Sequence, residues 1–317
     1  MSLSGVTTYS MTASDIVTKV FRLLDVYGPG SSIPGEDFST AFQTLNMMVK
    51  AWQSPQYGFH MWKQQECICF INPGQQFYQL GGSTPDRVGL GLGHNTALTA
   101  ALVATNTSLV VVATAGMTVG DNIGIELDDG SLQWTTIATI TSTTTLTISA
   151  GVTKTSAIGN NIFTYTTAAG RPLEIENVRL LKNNTTTMRM NRVAKQMFFN
   201  IPNINSVGQP IQYFEDRQLN QTNLWVYGTG SSSQDALVFT SKQIIEDFSI
   251  STNIADFPQT WMACLVFNLA VWLSPEYGKE DKVAAGIAAK ADELFQAASS
   301  WDQESARLKI SPYLGNY

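Results

Sequence analysis

The stretch Asp256-Phe-Pro-Gln-Thr-Trp-Met-Ala-Cys-Leu-Val-Phe-Asn-Leu-Ala-Val-Trp-Leu-Ser-Pro-Glu-Tyr-Gly-Lys279 sets the first expectation about the fold. Trp261, Cys264, Leu265, Leu269 and Trp272 recur at helical spacing, and Met262, Val266, Phe267 and Val271 fill much of the remaining surface. A helix apolar nearly all round is buried on most sides. Residues 261–273 are too few to cross a bilayer, which takes about 20 residues. Pro258 sets φ for a first turn, and Pro275 and Gly278 stop the helix. A second helix is expected over 279–299, with Val283, Ile287, Ala291, Leu294, Phe295 and Ala298 on one face.

Working outward, Thr12-Ala-Ser-Asp15 reads as a capping box opening a helix with Ile16, Val20, Leu23 and Leu24 on its face. Gly28, Pro29, Gly30, Pro34 and Gly35 make residues 27–35 a loop. A helix from Glu36 then presents Phe38, Phe42, Leu45, Val49 and Trp52. These amphipathic helices at the two ends of the chain predict one shared bundle.

Between them the sequence turns to β. Cys67, Cys69 and Ile71 alternate with Ile68 and Phe70, and Pro73-Gly74 marks a turn. Residues 93–169 form the clearest shift in composition: no proline, no cysteine, abundant threonine and one basic residue, Lys154. The β-rich runs 109–113, 122–127, 134–140 and 144–149 are separated by Gly116, Gly120, Asp129-Gly130 and Gly151, which predicts a small barrel or sandwich. Further strands are expected over 173–181, 209–214, 223–227 and 236–243. The expected fold class is α+β: a helical-bundle core from the N- and C-terminal helices, a β region, and an inserted small all-β domain. The expected domains are 1–92 plus 170–300, the insert 93–169, and an extended tail 301–317.

Several blocks of this sequence resemble the head-to-tail adaptors of tailed bacteriophages, also called tail accessory or packaged-DNA stabilisation factors. The blocks are Met47-Met48 with Ala51-Trp52, Pro73-Gly-Gln-Gln-Phe-Tyr-Gln-Leu-Gly81, Arg171-Pro-Leu-Glu-Ile175, Gly208-Gln-Pro-Ile-Gln-Tyr-Phe214, Leu224-Trp-Val-Tyr-Gly228, and the Phe257-Pro258 to Gly278 run. They follow in the family's order. Tyr227-Gly228 departs from it, since a proline-bounded turn is usual there, and residues 93–169 lie outside the resemblance. The resemblance implies a structural virion protein with no enzymatic activity. It implies a homo-oligomeric ring of twelve copies under the portal protein, a channel through which genome DNA passes without specific binding, and a lower face for the downstream tail or nozzle protein. It places the protein in the phage neck, assembled in the host cytoplasm.

Composition narrows the other classes. The net charge of −6 and pI near 5.0 argue against wrapping nucleic acid. No basic segment followed by an apolar run opens the chain, so neither a signal peptide nor a membrane partner is expected. Three cysteines and two histidines, His60 and His94, make a zinc site improbable, and buried thiols are the better reading. No cofactor or metal is expected. Gly89-Leu-Gly-Leu-Gly93 lacks the helix a phosphate loop needs and reads as a hinge into the insert. Asp121, Glu126, Asp128 and Asp129 suit a solvated hairpin tip better than a calcium site. Asp15, Glu36, Asp37 and Glu276 are the candidates for paired catalytic carboxylates, but they sit where helix dipoles already favour acids. A tail-associated cell-wall hydrolase, or a glycan- or fibre-binding role for the β insert, are the alternatives.

The C-terminal stretch carries the expected partner site. Trp301, Arg307, Leu308, Lys309, Ile310, Tyr313, Leu314 and Tyr317 are rich in residue types that anchor interfaces. They could strap the chain back onto its own bundle. The resemblance favours docking on the portal or a neighbouring subunit.

Overall fold

Alternating apolar residues over short, threonine-rich runs favour strands, and strands are the larger part of the regular structure among the described residues. The computed structural model describes residues 9–54, 63–83, 85–182, 185–232 and 234–302. The helices are α1 (Ala13–Leu23), α2 (Gly35–Trp52), α3 (Lys195–Phe199), α4 (Met262–Leu273), α5 (Glu280–Lys282) and α6 (Ala288–Trp301). Before the insert come β1 (Gln64–Phe70), β2 (Phe77–Gly81) and β3 (Val88–Leu90). The insert holds β4 (His94–Ala97), β5 (Ser108–Val110), β6 (Asn122–Glu126), β7 (Leu132–Ile140), β8 (Thr145–Ile148) and β9 (Asn161–Tyr165). After it come β10 (Glu174–Lys182), β11 (Thr186–Arg189), β12 (Asn191–Arg192), β13 (Gln212–Arg217), β14 (Gln221–Tyr227) and β15 (Ala236–Lys242).

The chain divides into a helical unit, 1–63 with 245–317, and a β unit, 64–244. In the helical unit, α1 opens on the capping box: the Asp15 amide donates to Thr12 Oγ1 at 3.2 Å and the Thr12 amide returns a bond to the Asp15 carboxylate at 3.1 Å. Ile16, Val20, Leu45, Val49, Trp52, Trp261, Leu265 and Leu269 bury their side chains in one cluster. Trp52, Trp261 and Phe295 pack ring to ring, with centroids 5.3–5.8 Å apart. Asp37 accepts hydrogen bonds from the hydroxyls of Tyr27 and Tyr277, tying the start of α2 to the turn after α4.

The β unit contains two sheets that share a core. The five-stranded sheet runs β11-β10-β15-β1-β3 and the four-stranded sheet β12-β13-β14-β2. Because alternate residues face opposite sides, Cys67 and Cys69 join Leu237, Phe239 and Leu180 in a cluster with Tyr78, Leu80, Leu224 and Val226 of the other sheet. Ile68 and Phe70 point the other way, into an aromatic layer with Phe163 and Tyr165 of the insert. Phe70 lies 5.0 Å from Trp134 and 5.2 Å from Phe163, and the Arg87 guanidinium covers Trp134 at 5.6 Å.

The insert is a sheet in the order β4-β9-β6-β7-β8-β5, curled until a bridge between Leu98 and Val111 joins its first and last strands. Its interior is Leu109, Ile123, Ile125, Ile137, Leu146 and Ile162, all buried. Threonine serves the outside, where hydroxyls pair across strands, as Thr139 with Thr147 at 2.7 Å. Asp129-Gly130 makes the turn between β6 and β7, with Gly130 at φ 78°.

Three expectations need correction. The fold is not α+β around a helical-bundle core. It is mostly β, in three sheets, and three of the four buried apolar clusters among the described residues belong to the β unit. The terminal helices do share a cluster, but they form a unit separate from the sheets. Nor is there one continuous helix over 279–299: Gly286 takes φ 144°, so α5 ends at Lys282 and a distorted turn separates it from α6. Gly89, read as part of a hinge, lies in β3 against the Tyr165 ring, where a Cβ would come within 2.6 Å of that side chain.

Candidate interaction surface

The outer face of the four-stranded sheet concentrates aromatic rings. In register, Phe77 of β2 lies opposite Trp225 of β14, which lies opposite Phe214 of β13. Cross-strand partners point to the same side, so three strands contribute a row of three rings on the face away from the shared core. The Phe77 and Trp225 centroids are 4.9 Å apart. Helix α3 lies over this row: Phe198 is buried against Phe214, and Phe199 reaches Trp225 at 5.4 Å. Phe77 remains 40% exposed and Phe199 47%, with Met197 exposed beside them on α3. The Trp225 indole nitrogen is buried and has no acceptor among the described residues.

Polar contacts fix this surface in place. Lys195 pairs with Asp216 at 3.0 Å while standing 5.7 Å from the centre of the Phe214 ring. That hydrogen bond holds the Asp216 carboxyl below its ordinary value. On the opposite face Glu215 is wholly buried and accepts from Arg192 at 3.0 Å and from Arg217 at 2.9 and 3.1 Å. Glu174 joins the network through Lys242 at 3.1 Å, Arg217 at 3.1 Å and Arg192 at 3.3 Å. Burial alone would raise the Glu174 carboxyl, but the Lys242 ammonium and the two guanidinium groups outweigh it and hold it below the usual range. Arg192 sits on β12, so the network pins that short parallel strand to β13. Gly228 turns at φ 85° with the Gln209 carbonyl so close that a Cβ would meet it at 2.2 Å. Glycine therefore stands where a proline-bounded turn was expected, because the Gly208-Gln-Pro block folds directly against it.

Of the partner site expected from sequence, only Trp301 is described. It ends α6 and is 75% exposed. Arg307, Leu308, Lys309, Ile310, Tyr313, Leu314 and Tyr317 lie outside the described residues, as does His60. The acidic residues of the insert are spread over local duties. Asp121 accepts from Thr118, Glu126 from Asn161 and Gln234, Asp128 from Ala157 and Asn160, and Asp129 pairs with Lys154 at 2.5 Å. Asp15 is spent on the α1 cap and Asp37 on its two tyrosines. Phe198 and Phe199 were missed from sequence. The signal available was Met197-Phe198-Phe199, three large apolar residues in succession.

No protein-family model matches this chain, and no curated protein matches it in sequence.

Proposed function

We propose that this chain is a structural, non-enzymatic head-to-tail adaptor of a tailed bacteriophage, working as one subunit of a ring between portal and tail. One observation supports the reading above all. Three blocks that carry the resemblance, one of them on the far side of the insert from the other two, become neighbouring strands of one sheet, and each contributes one ring to its outer face: Phe77, Phe214 and Trp225. An aromatic cluster on a rigid sheet whose outer rings, Phe77 and Phe199, remain exposed is the chemistry of a protein contact, since large flat side chains bury much area at little entropic cost.

In this reading the occupant of the aromatic row is a neighbouring copy, and twelve copies close the ring. Residues 301–317 anchor it to the portal, and the lower face receives the next tail component. DNA passes through the channel without being gripped, in keeping with a net charge of −6. The protein works in the virion neck.

Electron microscopy of the purified protein, alone and mixed with portal rings of the same phage, tests the proposal. Rings of uniform subunit number, or a collar added to portal rings, are expected. Monomers under both conditions would overturn it. Cutting after Ser300 should leave the protein folded and abolish portal binding, and undiminished binding would remove the tail from the mechanism.

A further inference from the structure

A cavity of about 310 Å³ opens over the face of the five-stranded sheet opposite the shared core. Its floor is apolar, formed by Ile68, Phe70, Leu181 and Val238, with Phe163 of β9 as one wall. One basic group enters this lining: Arg179 of β10. Its Nη2 donates to Glu66 at 2.8 Å, and Glu66 is itself held by the Thr240 hydroxyl at 3.1 Å, so the guanidinium is fixed in orientation. Its Nε is buried and has no acceptor among the described residues.

The register adds a second cation. Arg179 lies directly opposite Arg189 of β11, so both side chains leave the same face of the sheet. Like charges so placed repel one another. Arg189 is exposed and has no ion-pair partner among the described residues. The nearby Glu176 carboxylate is already taken by Lys242 at 2.6 Å. Arg179, paired with Glu66, thus stands in an apolar chamber at the small end of the ligand-pocket range. An anionic acceptor in the chamber would meet the part-exposed Arg179 guanidinium beyond the Nη2 that Glu66 holds, and a charge-assisted bond to a guanidinium is among the stronger ones.

We propose that this cavity binds a small apolar carboxylate, a single or fused ring with a short acid arm. The ring lies on Ile68, Phe70 and Leu181 and the carboxylate accepts from Arg179. His94 and Thr187 form the rim and do not supply the charge.

Calorimetric titration of the full chain with indole-3-acetate, and with indole-3-ethanol as the same ring lacking the charge, tests this. The acid should bind saturably at one site and the alcohol about tenfold to a hundredfold more weakly, as expected when a hydrogen bond to a charged group is lost. Arg179→Met should erase that preference while leaving weak binding of both. Leu181→Trp should fill the chamber and abolish binding. Should that variant not fold, Thr187→Trp on the exposed edge strand blocks the mouth instead. No saturable binding, equal binding of acid and alcohol, or full binding with the chamber blocked would each overturn the proposal.

Discussion

Replacing Phe77 and Phe199 together by alanine is the sharpest perturbation of the aromatic surface. A large aromatic side chain covers roughly 150–250 Å² when fully buried. Exposures of 40% and 47% leave about 80–100 Å² of each ring for a neighbour to cover. At about 25 cal/mol per Å² that is about 2 kcal/mol per ring, or about thirtyfold in association. Both rings touch Trp225, so their contributions need not add. The double variant should therefore assemble between about thirtyfold and a thousandfold more weakly. Sedimentation velocity over a dilution series measures the midpoint, and a melting curve checks that the β unit remains folded. Leu219, 87% exposed at the β13–β14 turn and away from the row, is the control, and its alanine variant should assemble as the parent does. An unchanged midpoint for a folded Phe77/Phe199 double variant would refute the assignment of this face.

Trp261→Ala should cost about 3–5 kcal/mol in urea unfolding and Trp272→Ala about half of that, because the first is wholly buried among rings and the second is 40% exposed; equal costs would contradict the packing. Burial pushes the Cys67 and Cys264 thiols up to about 12 and holds Cys69 well above its ordinary value, so a disulfide reagent at about pH 8 should find no reactive thiol in the native protein and all 3 after unfolding. Glu174 has a folded pKa below its unfolded value, so its stabilisation is complete above about pH 4.3 and is lost as pH falls through the folded value. The melting-temperature gap between the parent and Glu174→Gln should accordingly narrow from about pH 6 to about pH 3. A gap that widened on acidification would reverse the assigned sign.

The parts legible in the sequence were those whose signal is local. The α1 cap spans four residues, the barrel strands are marked by threonine and glycine punctuation, and residues 261–273 are helical by composition alone. The fold class was not legible, because what makes the protein β is pairing across long gaps. Ile68 of β1 faces Val238 of β15, and Phe77 of β2 faces Trp225 of β14. A window of periodicity sees strong helices at the chain ends and cannot see those partners. Trp272 shows the same limit at smaller scale: a helix apolar all round does not reveal which side meets solvent. The aromatic surface escaped because it exists only once three strands and α3 are assembled. The cavity over Arg179 escaped because the opposition of Arg179 and Arg189 is a matter of register.

The manner in which the chain enters and leaves the barrel carries a further consequence. The Leu90 amide donates to Thr167 and the Ala169 amide to Val88, both at 2.8 Å, and His94 pairs with Thr164, so the two crossings run side by side as an antiparallel ribbon. Everything from 95 to 163 hangs from that ribbon as a closed excursion, and the parent sheet resumes beside the point where it broke off. A different excursion joined at the same ribbon would leave the strand pairing of the two parent sheets unchanged. The stack of Phe70 on Trp134 and Phe163 would decide which replacements sit firmly and which swing free.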